Sequence, residues 1–253
     1  MNLGNKVLLV GDTHSKPTHI RLLSEYVSNS VLPSSVIILG DTLFDDWHNK
    51  DKLAMMSSTN VLWYLIDGNH DNICMDDSIS QTELTELYPN VHFVPRGYTH
   101  TENGRRFVFI GGAHSIDKAG RTPFLDWWPN EAPSQGLLNQ VSYYGAYDGE
   151  TIVFAHECPL SWELRNKMSR SEDTLDQTQV RAGEHLREWL AIIAKELDVS
   201  QWFHGHHHYR YTGKVFDHPK TIVTGLDCTR TISTRDGKWF DNFGNSTYIL
   251  NLN

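Results

Sequence analysis

Carboxylates, one amide and a set of imidazoles recur along this sequence just after short apolar runs. VGDTH carries Asp12 and His14, LGD carries Asp41, and DGNHD carries Asn69, His70 and Asp71. FAHE adds His156, and FHGHHH places four histidines within six residues, Phe203 to His208. Mixed oxygen and nitrogen donors suit Mn, Fe, Zn, Co or Ni, whereas calcium prefers an all-oxygen cage. A single carboxylate has two oxygens and can bridge two such ions about 3.5–4 Å apart. Each piece alone has a plainer reading, since GD or GN after a strand is ordinarily a tight turn. A lone histidine is ordinarily a polar residue with a local partner. Five pieces in succession, each at the end of an apolar run, exceed what turn chemistry produces. The histidine run is internal and interrupted by Gly205, unlike a terminal tag. If that run is extended, alternate side chains share a side, so His206 and His208 face one way and His207 the other. His204 then stays in the strand end as a structural residue.

Short strands must position these groups. KVLLV (6–10), SVIIL (35–39), VLWYLI (61–66), FVFIGG (107–112), TIVFAH (151–156) and TIVTG (221–225) are uniformly apolar and rich in β-branched or aromatic residues. Such runs suit strands buried on both faces. Helices are expected over 17–30, 47–57 and 80–87, with Pro17 at a helix start, where proline is tolerated. Strand–helix alternation implies parallel βαβ units, and ligands of open parallel sheets gather at the carboxyl ends of strands. The second half reads as strands and hairpins, with Asn103-Gly104 a strong turn signal. One amphipathic helix intervenes over 182–197, with Leu186, Leu190, Ile193 and Leu197 at spacings of three and four. The expected organisation is one domain over 1–253, with 123–136 and 157–178 as long excursions at the rim of the site.

Composition narrows the function. The 253 residues are 39% hydrophobic and 21% charged, as in ordinary globular chains. A net charge of -9 argues against a broad basic surface for extended nucleic acid. It leaves room for a nucleotide at a bound cation, which reverses the local charge. Three scattered cysteines (Cys74, Cys158, Cys228) form no disulfide framework or CxxC pair. No cysteine falls in the motifs, which argues against a structural zinc site, and Cys158 reads as a small buried side chain. With no signal-like start and no run of membrane-spanning length, a soluble cytoplasmic protein without a membrane partner is expected.

The ordered series GDTH, GD, GNHD, AHE and GHHH resembles the calcineurin-like metallophosphoesterase superfamily, over Gly11 to His208. The resemblance implies an α/β fold, a four-layer α-β-β-α sandwich of two mixed β-sheets with a dinuclear metal site at the strand ends. By motif position it implies that Asp12, His14 and His208 hold one divalent ion and Asn69, His156 and His206 the other. Asp41 would bridge the pair, with Mn²⁺ the first expectation. It implies phosphoester hydrolysis by a water activated between the ions, with His70 as general acid or transition-state donor. Asp71 is expected to hold the His70 ring in its tautomer and favour its protonated form.

Substrate class is read from a departure. Protein phosphatases of the superfamily carry an arginine in GDxVDRG, where this chain has GDTLFDDWHNK with Asp45, Asp46 and Trp47. Lacking that bidentate contact, the site is expected to prefer a small nucleotide-like phosphodiester, cyclic nucleotides included. A phosphomonoesterase or a DNA or RNA nuclease is the alternative, and a non-enzymatic scaffold is disfavoured because every ligand position is filled. Arg121, Arg165 or Arg170 could supply a cation from the excursions, and Lys118, Arg121, Trp127 and Trp128 could form a rim that stacks on a base. His114 reads as structural, while His48 is a candidate for the pocket wall.

Overall fold

The computed structural model describes residues 1–14, 17–29, 33–42, 50–72, 80–168, 176–229, 231–233, 239–241 and 243–252. The chain opens with β1 (Lys6–Val10), α1 (Pro17–Asn29), β2 (Ser35–Leu39), α2 (Lys50–Ser57) and β3 (Leu62–Ile66). Next come β4 (Thr85–Tyr88), β5 (Val91–Phe93), β6 (Thr99–Glu102), β7 (Arg105–Ile110), α3 (Gln135–Ser142) and β8 (Glu150–Ala155). Then follow α4 (Trp162–Met168), α5 (Gln177–Glu196), β9 (Val199–His204), β10 (Tyr211–Val215) and β11 (His218–Gly225). β12 (Thr231–Ser233), β13 (Trp239–Asp241), α6 (Phe243–Ser246) and β14 (Thr247–Asn251) close the described chain.

One sheet runs β14-β1-β2-β3-β5-β4 and the other β10-β11-β9-β8-β7-β6, with β12 and β13 forming a separate ribbon. Within the first sheet β1, β2, β3 and β5 are parallel, and β14 and β4 flank them antiparallel. Within the second, β7, β8, β9 and β11 are parallel between antiparallel β6 and β10. Both sheets are therefore mixed.

Alternation along the strands creates the layers. Val7, Leu9, Ile37, Leu39, Tyr64 and Ile66 of the first sheet meet Phe107, Phe109, Ile152, Phe154 and Phe203 of the second. The opposite face of the first sheet packs Leu8, Val36, Ile38 and Leu65 on Ile20, Leu23 and Val27 of α1 and Leu53 and Met56 of α2. The opposite face of the second packs Val108, Val153 and Trp202 on α5 through Leu186, Leu190 and Ile193. The result is the expected four-layer sandwich. α5 is preceded by Asp176, whose side chain accepts from Thr178 N at 2.8 Å, a cap that satisfies an otherwise orphaned donor. The Asn103-Gly104 turn has φ of 52° and 74°, the left-handed pair that a two-residue hairpin needs.

One expectation is overturned. Residues 80–87 do not form a helix: Ser80 Oγ accepts from Thr82 N and Glu83 N, and Thr85–Tyr88 then pairs antiparallel with β5. Pro89 blocks helical continuation, and edge pairing takes up the backbone donors instead. α2 is described from Lys50; Trp47 to Asn49, and with them the expected start of that helix, lie outside the described residues.

Candidate metal centre

Parallel strands in both sheets point their carboxyl ends at one edge, and the chemistry-bearing residues follow immediately. Asp12, Asp41 and Asn69 come just after β1, β2 and β3, while His156 and His206 come just after β8 and β9. The chain then turns sharply. His14, Asp41, His206 and His208 have left-handed backbones with φ of 48°, 51°, 63° and 48°. Non-glycine residues held there cost roughly 1–3 kcal/mol each, and such strain persists only where surrounding bonds over-determine it. Here His14 N donates to Asp41 O at 2.8 Å, and His206 N donates to Asp12 Oδ1 at 3.0 Å. Gly40 has φ of 98°, and a Cβ there would strike His156 Nδ1; a Cβ on Gly205 would strike Asp12 Oδ1. Both glycines let backbone approach a donor closely.

Two donor groups result. In one, His208 Nε2 lies 2.9 Å from Asp12 Oδ2 and 2.6 Å from His14 Nε2. In the other, His156 Nε2 lies 3.0 Å from Asn69 Oδ1, and its ring centre is 5.0 Å from that of His206. Asp41 joins them: a carboxylate oxygen lies within 4.8 Å of donors on Asp12 and His14, and its Oδ2 is 3.5 Å from His156 Nε2. His207 turns to Glu157 at 2.6 Å. His206 is not held apart from His207: a ring nitrogen of each lies within 4.8 Å of the other and of a Glu157 oxygen, and their ring centres are 4.7 Å apart. The turns at 206 and 208 therefore do not reproduce the alternation expected of an extended segment.

Other side chains aim these donors. His156 Nδ1 donates to Leu39 O at 2.6 Å, which turns Nε2 toward Asn69 and Asp41. Asn69 Nδ2 donates to Ser115 Oγ at 2.9 Å, so Oδ1 faces inward. Ser115 Oγ in turn donates to Glu131 Oε2 at 2.5 Å. Buried Glu157 lies 3.8 Å from His206 Nε2. Cys228 Sγ is within 4.8 Å of the ring nitrogens of His14 and His208. Ser115, Glu131, Glu157 and Cys228 are not among the site residues that the motifs predict. Glu157, adjacent to a motif histidine, was the one with a signal.

Electrostatics follow from packing two carboxylates among imidazoles. Burial alone would raise Asp41, yet His156, His70 and His14 hold its carboxyl far below the usual range. Burial would depress His156, but Asp41 and Asp12 outweigh it and push the ring up to about 10. His208 is likewise pushed up to about 10, against burial, by its bond to Asp12 and by Cys228. At neutral pH protons therefore balance the buried carboxylates. A divalent cation bound here would have to displace them, since metal-bound imidazole is neutral. Metal uptake at pH 7 is expected to release protons, and apparent affinity to fall as pH is lowered. Calorimetry in buffers of different ionisation enthalpy reads the proton count directly; a count of zero would contradict this charge balance.

The profile of the calcineurin-like phosphoesterases matches residues 5–210. The chain belongs to that family. Among solved structures, the phosphoesterase is similar to TT1561 of Thermus thermophilus, with 10% identity, a TM-score of 0.57 and coverage of 98% of this chain and 99% of that one. A second solved chain matches with 13% identity, a TM-score of 0.51 and the same coverage of both. At such identities the likeness concerns the fold alone. No curated protein matches the sequence. Among the described residues of the phosphoesterase, no helix is long and apolar enough to cross a membrane.

The remaining expected residues distribute unevenly around this centre. His70 reaches it, with Nε2 4.0 Å from Asp41 Oδ2 and its backbone N donating to Asp41 Oδ1 at 3.0 Å. Arg121 meets its ring: Nη1 lies 2.6 Å from Nδ1, and Nη2 lies 3.2 Å from Nε2. Burial depresses His70, Asp41 opposes and Arg121 adds to the depression, and the net shift is downward. That runs against the expectation that Asp71 keeps the ring protonated. Asp71 Oδ2 instead accepts from Gly68 N at 2.8 Å and Thr42 N at 3.3 Å, joining the loops after β2 and β3. Trp128 is buried and donates to His70 O at 2.9 Å, so it anchors that loop and is not a stacking rim. Lys118 sits 3.8 Å over the Trp127 ring. His114 lies 3.8 Å from Glu131, and His204 is fully buried between Gly205 O and Tyr211 Oη, both at 2.8 Å. His48, Asp45, Asp46, Arg170 and Cys74 lie outside the described residues.

Proposed function

We propose that the phosphoesterase is a two-ion phosphodiesterase acting on a small nucleotide-like diester, cyclic nucleotides included. Asp12, His14 and His208 would hold one ion, Asn69, His156 and His206 the other, and Asp41 both. The observation that carries the two-ion reading is the position of Asp41, whose carboxylate touches both donor groups. When bound, two divalent ions lower the pKa of a shared water and neutralise phosphoryl charge.

The chain's own contribution is orientation and proton supply. Arg121 can only donate, and it lies against both ring nitrogens of His70, Nδ1 at 2.6 Å and Nε2 at 3.2 Å; taking the shorter contact as the hydrogen bond makes Nδ1 the acceptor. The neutral ring then carries its proton on Nε2, the nitrogen nearer Asp41. From there it can be given to a leaving-group oxygen. Asp71 acts at one remove, by fixing the two loops that carry Asp41 and His70.

The diester preference rests on charge. Arg121 reaches the site, but its Nη2 is paired with Asp117 Oδ2 at 2.7 Å and its Nη1 bonds Asp126 O at 3.1 Å. A cation already compensated favours a monoanionic diester over a dianionic monoester. With Mn²⁺ added, bis-p-nitrophenyl phosphate and cyclic nucleotides should turn over faster than p-nitrophenyl phosphate or single-stranded DNA. The reverse order would overturn the diester reading.

Arg121→Ala should lower turnover roughly 10- to 150-fold, the worth of a hydrogen bond to a charged group. Metal content should stay unchanged, because Arg121 touches none of the proposed ligands in the contacts described. Parallel loss of metal would place Arg121 among the groups that hold the centre together.

A further inference from the structure

We propose that Cys228 is an additional ligand, through its thiolate, to the ion held by Asp12, His14 and His208. The inference rests on the two-ion reading above. Cys228 Sγ, a ring nitrogen of His14 and a ring nitrogen of His208 all lie within 4.8 Å of one another. His14 belongs to a second such group with Asp12 and Asp41, so that histidine links the sulfur to the carboxylates. The thiol is buried, which shields it from solvent while it faces two imidazoles.

The backbone holds it there from both sides. Leu226 N donates to His204 O at 2.9 Å, at the root of the histidine run. Thr229 N donates to Asp12 O at 2.8 Å, so the segment is tied to the very residue that supplies a carboxylate. Asp227 N bonds Asn245 O at 3.1 Å, and Cys228 N bonds Asp227 Oδ1 at 2.8 Å. Gly11 makes the approach possible, because any Cβ there would collide with Asp227 O. Cys158, the other described cysteine, is buried beside Glu157 and belongs to none of these donor groups.

Coordination requires only that the thiol proton leave to solvent as the sulfur–metal bond forms; no oxidant or reductant enters. A thiolate is a softer donor than carboxylate or imidazole, and it shifts preference from Mn²⁺ toward Fe²⁺, Co²⁺ or Zn²⁺. On this proposal the ion beside Cys228 would favour Fe²⁺, Co²⁺ or Zn²⁺ over the Mn²⁺ expected from the sequence.

The test is titration of metal-free protein with Co²⁺ in the presence of a phosphine reductant. Wild type should develop visible ligand-field bands together with a near-ultraviolet sulfur-to-cobalt charge-transfer band. Cys228→Ser should lose the charge-transfer band and keep the ligand-field bands, and Cys158→Ser should keep both. Ligand-field bands without charge transfer in wild type would overturn the proposal and leave the two-ion reading standing. Survival of the band in Cys228→Ser would overturn it equally. Absence of any cobalt spectrum would remove the two-ion reading and this proposal together. Should Cys228→Ser fail to fold, X-ray absorption of the Zn²⁺-loaded wild type decides, through a sulfur shell at about 2.3 Å or its absence.

Discussion

Asp41→Asn is expected to abolish turnover by ~10³-fold or more and to strip the protein of its paired ions. The substitution keeps side-chain shape and tolerates the left-handed backbone at φ 51°, since asparagine visits that region readily. It removes one anionic oxygen and the charge. Asp41 is the carboxylate placed between the two donor groups among the described residues. A Lewis-acid pair is worth several kcal/mol of transition-state stabilisation, and each ~1.36 kcal/mol is tenfold in rate. The measurements are metal content by mass spectrometry and turnover of bis-p-nitrophenyl phosphate. Retention of two tightly bound ions by Asp41→Asn would remove the bridging role. Far-ultraviolet circular dichroism separates loss of metal from loss of fold.

How much of this centre was legible depends on what each residue's signal was made of. Asp12, His14, Asp41, Asn69, His156, His206 and His208 each follow a short apolar strand closely, so period and punctuation marked them. Parallel pairing of β1, β2 and β3, and of β8 and β9, then carried all of them to one edge. The orientation within FHGHHH was not legible, because two left-handed residues replace the extended backbone that alternation assumes. Ser115 precedes the 123–136 excursion and Glu131 lies within it, neither in a periodic segment, and they act on Asn69 only through tertiary contact. Cys228 comes twenty residues after His208 and reaches the site because β11 runs parallel to β9 and ends beside it. β4 escaped notice for the opposite reason: an edge strand's pairing partner decides its conformation, and TELY has no strong period of its own. Arg121 was one candidate cation among three, and only the fold of 118–128 brings it to His70.

His70→Ala should lower kcat for a cyclic nucleotide by ~10²–10⁴-fold, the usual worth of a positioned proton donor, with both ions retained. The ring stands 4.0 Å from Asp41 Oδ2, outside the closest donor contacts, and the His70 backbone N–H that braces Asp41 survives the substitution. Metal content should therefore hold while turnover falls. The loss should also depend on the leaving group. An alcohol of high pKa needs a proton as its bond to phosphorus breaks, whereas p-nitrophenolate leaves without one. The deficit of His70→Ala should accordingly be large for a cyclic nucleotide and small for bis-p-nitrophenyl phosphate. Equal deficits for both substrates would assign His70 to electrostatic stabilisation of the phosphoryl oxygens. Parallel loss of metal would make it a ligand, and Arg121 would then be bracing the metal centre through it.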